Sequence, residues 1–336
     1  MVVTANAAVG RAWAHHAIAI LAGFSAGAFF LFAVFDMTAP SNATLRNPTD
    51  VDVSLMVTAA LAATMAATPV RERIAKFIPV DPDNPVHSYA LVLAVILLGT
   101  QLAPLVFTNV LASVNSAAPL TIPDLAANEV PYLVLAYAGV GIWMRRSLTE
   151  SSERLALVAP AWWHITLALG AAGVFFAVQL GAGWLSEALT PSLANQVNHA
   201  SDHLFGALLT PQGVIAIAVL PGICEELLFR GALQPRFGLI ATALLFTAVH
   251  IDYGLTLDLL AVFVLAIGLG IMRRYLNTTA TITCHTTYNL LVGIGLTGTL
   301  QLGLYAVSAV LLAVSLVQLR RSLQSQPQDA EQEAVR

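Results

Sequence analysis

A succession of apolar runs constrains this chain more than any other feature. Windows near 16–36, 53–70, 87–113, 130–144, 159–185, 212–233, 237–252, 256–273, 278–297 and 299–319 recur along it. Each approaches the roughly 20 residues that carry a helix across about 30 Å of hydrocarbon. A helix there satisfies its own backbone donors and acceptors, so these runs predict an all-α, polytopic transmembrane bundle of about ten spans. The composition agrees, with 57% of residues hydrophobic and 10% charged, far from the balance of a soluble domain. The fourth window is short, the third and fifth are long, and Pro104 lies in the third, so span ends are expected to shift there. The run ending at Phe35 is too long for a signal-peptide core and is read as the first span.

Basic residues set the orientation. Counting connections alternately, Arg11, Arg71, Arg73, Lys76, Arg145, Arg146, Arg154, Arg236, Arg273, Arg274, Arg320, Arg321 and Arg336 fall on one side, and Arg46 alone on the other. The positive-inside rule therefore places both termini in the cytoplasm. The Ala-rich composition and small outer loops point to a prokaryotic cell membrane. The net charge of −4 carries little information in such a chain, and no feature calls for nucleic acid. Cys224 and Cys284 lie in apolar runs, where a free cysteine acts as a small buried hydrophobe and not as part of a disulfide framework or as a nucleophile.

Three regions follow. Residues 1–157 form a four-span N-terminal region ending in the polar connector RRSLTESSER, residues 158–320 form a core that carries the chemistry, and residues 321–336 form a disordered cytoplasmic tail rich in Gln, Asp and Glu. The N-terminal spans show no internal ionisable constellation, only scattered groups such as Gln101 and Asn109. They are read as packing elements, with Gly23 and Gly27 as a small-xxx-small contact. His199, Asp202 and His203 belong to an outer connection. Its histidines are four apart, but the Glu of a metalloprotease H-E-x-x-H is missing, so a wet interfacial segment is expected.

The sixth window carries Glu225, Glu226 and Arg230 inside hydrocarbon, where an ionised side chain costs at least roughly 2.5–3.5 kcal/mol and normally marks function. Residues four apart share a helical face, so Glu226 and Arg230 pair and Glu225 is left free. An isolated pair of this kind can be structural; the second carboxylate suits a general base. Phe246 and His250 repeat the four-residue spacing in the seventh window, and His285 and Asn289 in the ninth. Asp252 and Asp258 are read as interfacial. Counting 1.5 Å per residue from the basic ends puts Glu225 and His285 in one layer and His250 about one turn higher. The expected site is an internal polar cavity.

Three ordered motifs, E-E-x-x-x-R at Glu225, Glu226 and Arg230, F-x-x-x-H at Phe246 and His250, and H-x-x-x-N at His285 and Asn289, resemble those of the CAAX protease and bacteriocin-processing family of intramembrane proteases. That family includes the Ras-converting CAAX endoprotease. The likeness covers roughly Ala159 to Leu319. It implies that Glu225 with His250 activates water for attack on a peptide carbonyl, that His285 and Asn289 stabilise the oxyanion, and that Glu226, Arg230 and Phe246 support them. The family has been described both as metal-dependent and as a glutamate protease. Glu225, His250 and His285 are the candidate ligands if zinc is used, and the residues suit a metal-free general base equally well. The implied partners are membrane lipid and a protein or peptide substrate, lipidated or not; the oligomeric state is left open. Two competing readings are a non-catalytic scaffold or peptide-immunity factor and a transporter. A transporter predicts repeats, and the first half holds no counterpart of the motifs.

Overall fold

The computed structural model of the chain describes residues 1–38 and 48–333; Arg46 and Arg336 lie outside them. Among the described residues there is no strand. The N-terminal half contains α1 (Val2–Ala8), α2 (Ala14–Thr38), α3 (Pro48–Thr64), α4 (Thr68–Ile74), α5 (Pro85–Phe107), α6 (Val110–Ser116), α7 (Ile122–Val140) and α8 (Leu148–Arg154). The second half contains α9 (Trp162–Leu189), α10 (Pro191–Phe205), α11 (Pro211–Glu225), a π-helical segment (Glu226–Leu233), α12 (Gln234–Ala248), α13 (Leu257–Tyr275), α14 (Thr278–Ile294) and α15 (Gly298–Glu333).

Every expected window meets a helix. By length and apolarity, five stretches are able to cross a membrane: α2 to Met37, α5, α9, Pro211–Ala248 and Gly298–Arg321 of α15. A sixth joins Asp50–Thr64 to Thr68–Ile74 across a 94° bend. Large apolar side chains such as Phe24, Phe35, Leu300 and Leu302 face outward along these helices, as a lipid-embedded surface requires and a water-exposed one does not tolerate over such areas. The protein is an integral membrane protein.

The third window is shorter than expected. α5 ends at Phe107, Thr108 is extended (φ −132°, ψ 164°), and Asn109 caps the short α6 through the amide of Ala112. The longest candidate, Pro211–Ala248, is not one rod. Gly238 has φ 77° and ψ 174°, a left-sided backbone that only glycine adopts without strain. A straight helix would separate residues 229 and 246 by about 25 Å at 1.5 Å per residue, yet the Phe229 and Phe246 rings meet edge to face at 5.3 Å. The chain reverses at Gly238, and α11 with the π segment forms a hairpin with α12. Two expected spans, 212–233 and 237–252, correspond to its two arms.

The small-residue contacts lie elsewhere than expected. Gly23 and Gly27 are exposed, with nothing near a Cβ at either position, whereas Ala22 and Ala26 of α2 are buried. Close approach occurs instead at Gly99 of α5, where a Cβ would collide with Thr58 of α3, and at Gly222 of α11, where it would collide with Thr286 of α14. The two halves also share a core. Ala5, Leu21, Ala62, Tyr89 and Val92 pack in one cluster with Phe229, Phe237, Phe246 and Val262.

The connector folds as α8 under a Ser147/Glu150 capping box, and hydrogen bonds from Ser147 hold the Glu150 carboxyl below its ordinary range. Beyond it, the backbone carbonyl of Leu155 accepts a hydrogen bond from Thr278 Oγ1 at 2.5 Å, tying the connector to the start of α14. α15 runs on to Glu333. The last three residues of the chain are outside the described ones.

Gly222→Ala forces α11 and α14 apart, because Thr286 Cα and N also lie 3.0 Å from the added carbon. It is expected to cost about 1–3 kcal/mol, read as a lower unfolding temperature in detergent. An unchanged temperature contradicts this contact.

Candidate active site

Glu225 is the last residue of α11, and the helix widens to π geometry from Glu226. Pro235 contributes to that widening, since it cannot donate an N–H and its ring crowds the carbonyl four residues back. Such π segments are frequent at functional sites. Glu226 and Arg230 pair as the spacing predicts, with Oε1 and Nη1 3.4 Å apart, and both are essentially inaccessible at 0% and 1%.

Two imidazoles meet the carboxylates. His285 of α14 places Nδ1 3.0 Å from Glu226 Oε1 and Nε2 4.0 Å from Glu225 Oε2. His250 places Nδ1 2.8 Å from the Phe246 carbonyl oxygen and Nε2 3.9 Å from Glu225 Oε1. In each ring Nδ1 is held by an acceptor, so it carries the proton, and Nε2 points at one of the two oxygens of Glu225. Distances of 3.9 and 4.0 Å exceed a direct hydrogen bond; they leave space for an intervening water or substrate atom. Glu225 Oε2 is buried and has no hydrogen-bond partner.

Phe246 organises this group from beneath. Its ring stacks on His250 at 4.7 Å, meets His285 edge-on at 5.9 Å, and carries the Arg230 guanidinium 4.2 Å above its centroid. It is fully buried. His250 lies beside Phe246 as the four-residue spacing predicts, although it stands just past the regular part of α12. It follows the end of α12 with φ −112° and ψ 27°, the first residue of the turn into Ile251–Tyr253. That turn carries its ring to the level of Glu225 and removes the one-turn depth mismatch of the sequence reading. Asn289 lies one turn beyond His285, and its side-chain amide donates to the Ile217 carbonyl of α11 at 3.3 Å.

His199, His203 and Asp258, also singled out in the sequence, lie outside this group of side chains. His199 is exposed on α10, and His203 contacts the Ala117 carbonyl at 2.7 Å. Cys224 and Cys284 are free and buried. Asp258 accepts a hydrogen bond from Gln179 at 2.9 Å.

One residue escaped the sequence reading. Glu129 of α7 is buried with Oε2 unpartnered, and its carboxylate interacts electrostatically with Glu225. Tyr132, one turn further along α7, sets its ring 5.9 Å from Phe229, so the N-terminal half does bring an ionisable side chain to this site. The available signal was the capping box Thr121-x-x-Asp124, which starts α7 early enough to enclose Glu129.

Access is one-sided. Side-chain exposure is 6% at Glu225 and 3% at His285 but 24% at His250. His250 lines a cavity of about 70 Å³ bounded by α6, α10 and the Ile251–Tyr253 turn.

Glu225, His250 and His285 are donor types that zinc takes, and each histidine has its outer nitrogen held as a metal ligand's would be. Among the described residues, however, no three His, Cys, Asp or Glu side chains are gathered closely enough to hold a metal ion.

No curated protein and no solved structure is significantly similar to this chain. The resemblance drawn from the three motifs is nevertheless borne out: residues 207–291, which carry every one of them, match the family model described as Type II CAAX prenyl endopeptidase Rce1-like.

Proposed function

We propose that the protein is an intramembrane endopeptidase in which Glu225 and His250 activate a water and His285 and Asn289 stabilise the oxyanion. The observation that carries this reading is the aim of two imidazole Nε2 atoms at opposite oxygens of one buried carboxylate. The family match supports CAAX-type endopeptidase activity.

In this mechanism His250, with its proton on Nδ1, accepts from the water through Nε2, and the Glu225 carboxylate takes the water's proton as its oxygen bonds to the peptide carbon. His285 serves as an imidazolium, donating Nδ1–H to Glu226 and Nε2–H to the carbonyl oxygen as it becomes negative. The charges of Arg230 and His285 offset those of Glu225 and Glu226 when both are ionised, with Glu129 the remaining carboxyl of the set. Asn289 contributes its amide once substrate draws it from the Ile217 carbonyl. The proton held by Glu225 then passes to the leaving nitrogen as the C–N bond breaks. Donors aimed in advance at the oxyanion are worth about 10²–10³ each in kcat. No step passes through a metal ion.

We further propose ten spans with both termini cytoplasmic, residues 158–320 as the protease core, and residues 1–157 as a supporting wall that reaches the site through α7. A reporter fused after Ala126 is expected outside the cytoplasm; a cytoplasmic signal overturns this topology.

Detergent-purified protein is expected to cleave members of a quenched fluorescent peptide library, with turnover abolished by Glu225→Gln and reduced at least about 10²-fold by His250→Ala, and with activity surviving a chelator wash. A fully active Glu225→Gln chain refutes the assignment, and activity lost to the chelator and restored by zinc refutes the metal-free mechanism. A folded chain that binds peptide without cutting any favours the scaffold or immunity reading, and one that moves solute favours a transporter.

A further inference from the structure

We infer that the cavity beside His250 is a substrate subsite that takes an apolar side chain of a peptide with a cationic residue next to it. The inference rests on the peptidase reading and extends it to substrate class. Its first support is continuity with the site. His250 is more exposed than Glu225 or His285, and its ring forms part of the cavity wall. A peptide bond that reaches Glu225 from this side brings the neighbouring side chain into the cavity.

The second support is size and lining. A volume of about 70 Å³ exceeds several-fold the roughly 10–15 Å³ that one water needs, which is room for one side chain. Leu204 and Phe205 close it from the α10 side, and Val249 and Tyr253 from the turn after α12. These walls favour an aliphatic or aromatic occupant.

The third support is charge. Asp252 also lines the cavity and is exposed at its mouth, and no Lys or Arg lines it. A carboxylate at the rim attracts an ammonium or guanidinium on the residue beside the bound side chain, and repels both a carboxylate side chain and a free C-terminal carboxylate. The subsite therefore suits an internal bond in a basic, apolar segment. α10 is held over this region through the His203 contact to the Ala117 carbonyl, and its buried Val197 and Ala200 pack with Val110, Leu111 and Val114 of α6. The roof of the subsite is thus built into the fold.

The test uses the full chain in an uncharged detergent. Fluorescent peptides that differ only by Lys, norleucine or Glu beside a central Leu are titrated by anisotropy onto the Glu225→Gln chain, which does not consume them, and are assayed in parallel for cleavage by the wild type. An exposed charge pair is worth a few-fold, so Lys against Glu, which adds attraction to repulsion, is expected to differ on the order of tenfold in Kd. Asp252→Asn brings that ratio close to one. Ser201→Phe, on the cavity wall, weakens the Leu peptide more than its Gly analogue. Equal binding of Lys and Glu peptides, or a ratio that survives Asp252→Asn, overturns the subsite whether or not peptides are cut. The charge preference in binding without cleavage by the wild type supports the subsite and overturns the peptidase reading instead.

Discussion

Ionised groups can be kept in hydrocarbon only if they satisfy one another, and in this protein that requirement falls on Glu226. Its Oε1 lies 3.4 Å from Arg230 and 3.0 Å from His285. One oxygen therefore neutralises a guanidinium and orients an imidazole. Removing either partner leaves a buried charge uncompensated, which typically costs 3–5 kcal/mol. The two elements that supply these groups, the π segment and α14, are consequently held in one register. The stacking of Arg230 on Phe246 extends the same constraint to α12, since a guanidinium over an aromatic face needs the ring at a fixed height.

The reversal at Gly238 makes this possible. It turns one 38-residue apolar stretch into a hairpin, sets Phe246 against Arg230, and delivers His250 beyond the end of α12 to the free carboxylate of Glu225. Close packing through Gly222 then brings α14 near enough for His285 to reach both glutamates. The N-terminal helices complete the enclosure. Their core residues merge with those of the hairpin, and α7 lays Tyr132 against Phe229. A region without motifs thus acts as a wall of the site.

Much of this was legible in the sequence because hydrocarbon simplifies the code. Apolar windows located helices, the four-residue spacing paired Glu226 with Arg230, and rare polar residues in apolar runs marked the groups that meet. What was not legible depended on local departures from ideal helices. The π segment and the turn carrying His250 move side chains away from where counting along ideal helices puts them, and the early start of α7 encloses a residue that the apolar window left outside. Gly23 and Gly27 mislead because a small-residue pair indicates where close packing is allowed, not that a partner is present. Glu129 was missed because it stands at the edge of an apolar window, where a carboxylate ordinarily reaches water. The double duty of Glu226 was hidden because it pairs across 59 residues of sequence with a histidine assigned another role.

Whether Glu225 and His250 act on the same water is measured most directly by a double-mutant cycle in kcat/KM between Glu225→Asp and His250→Ala, which shorten one group and remove the other, each corrected for folded fraction. Residues that operate as one unit are grossly non-additive. A shared site predicts that the double variant loses no more activity than the worse single variant. Losses that multiply would show that the two residues act independently, and would contradict a single Glu225-centred machine.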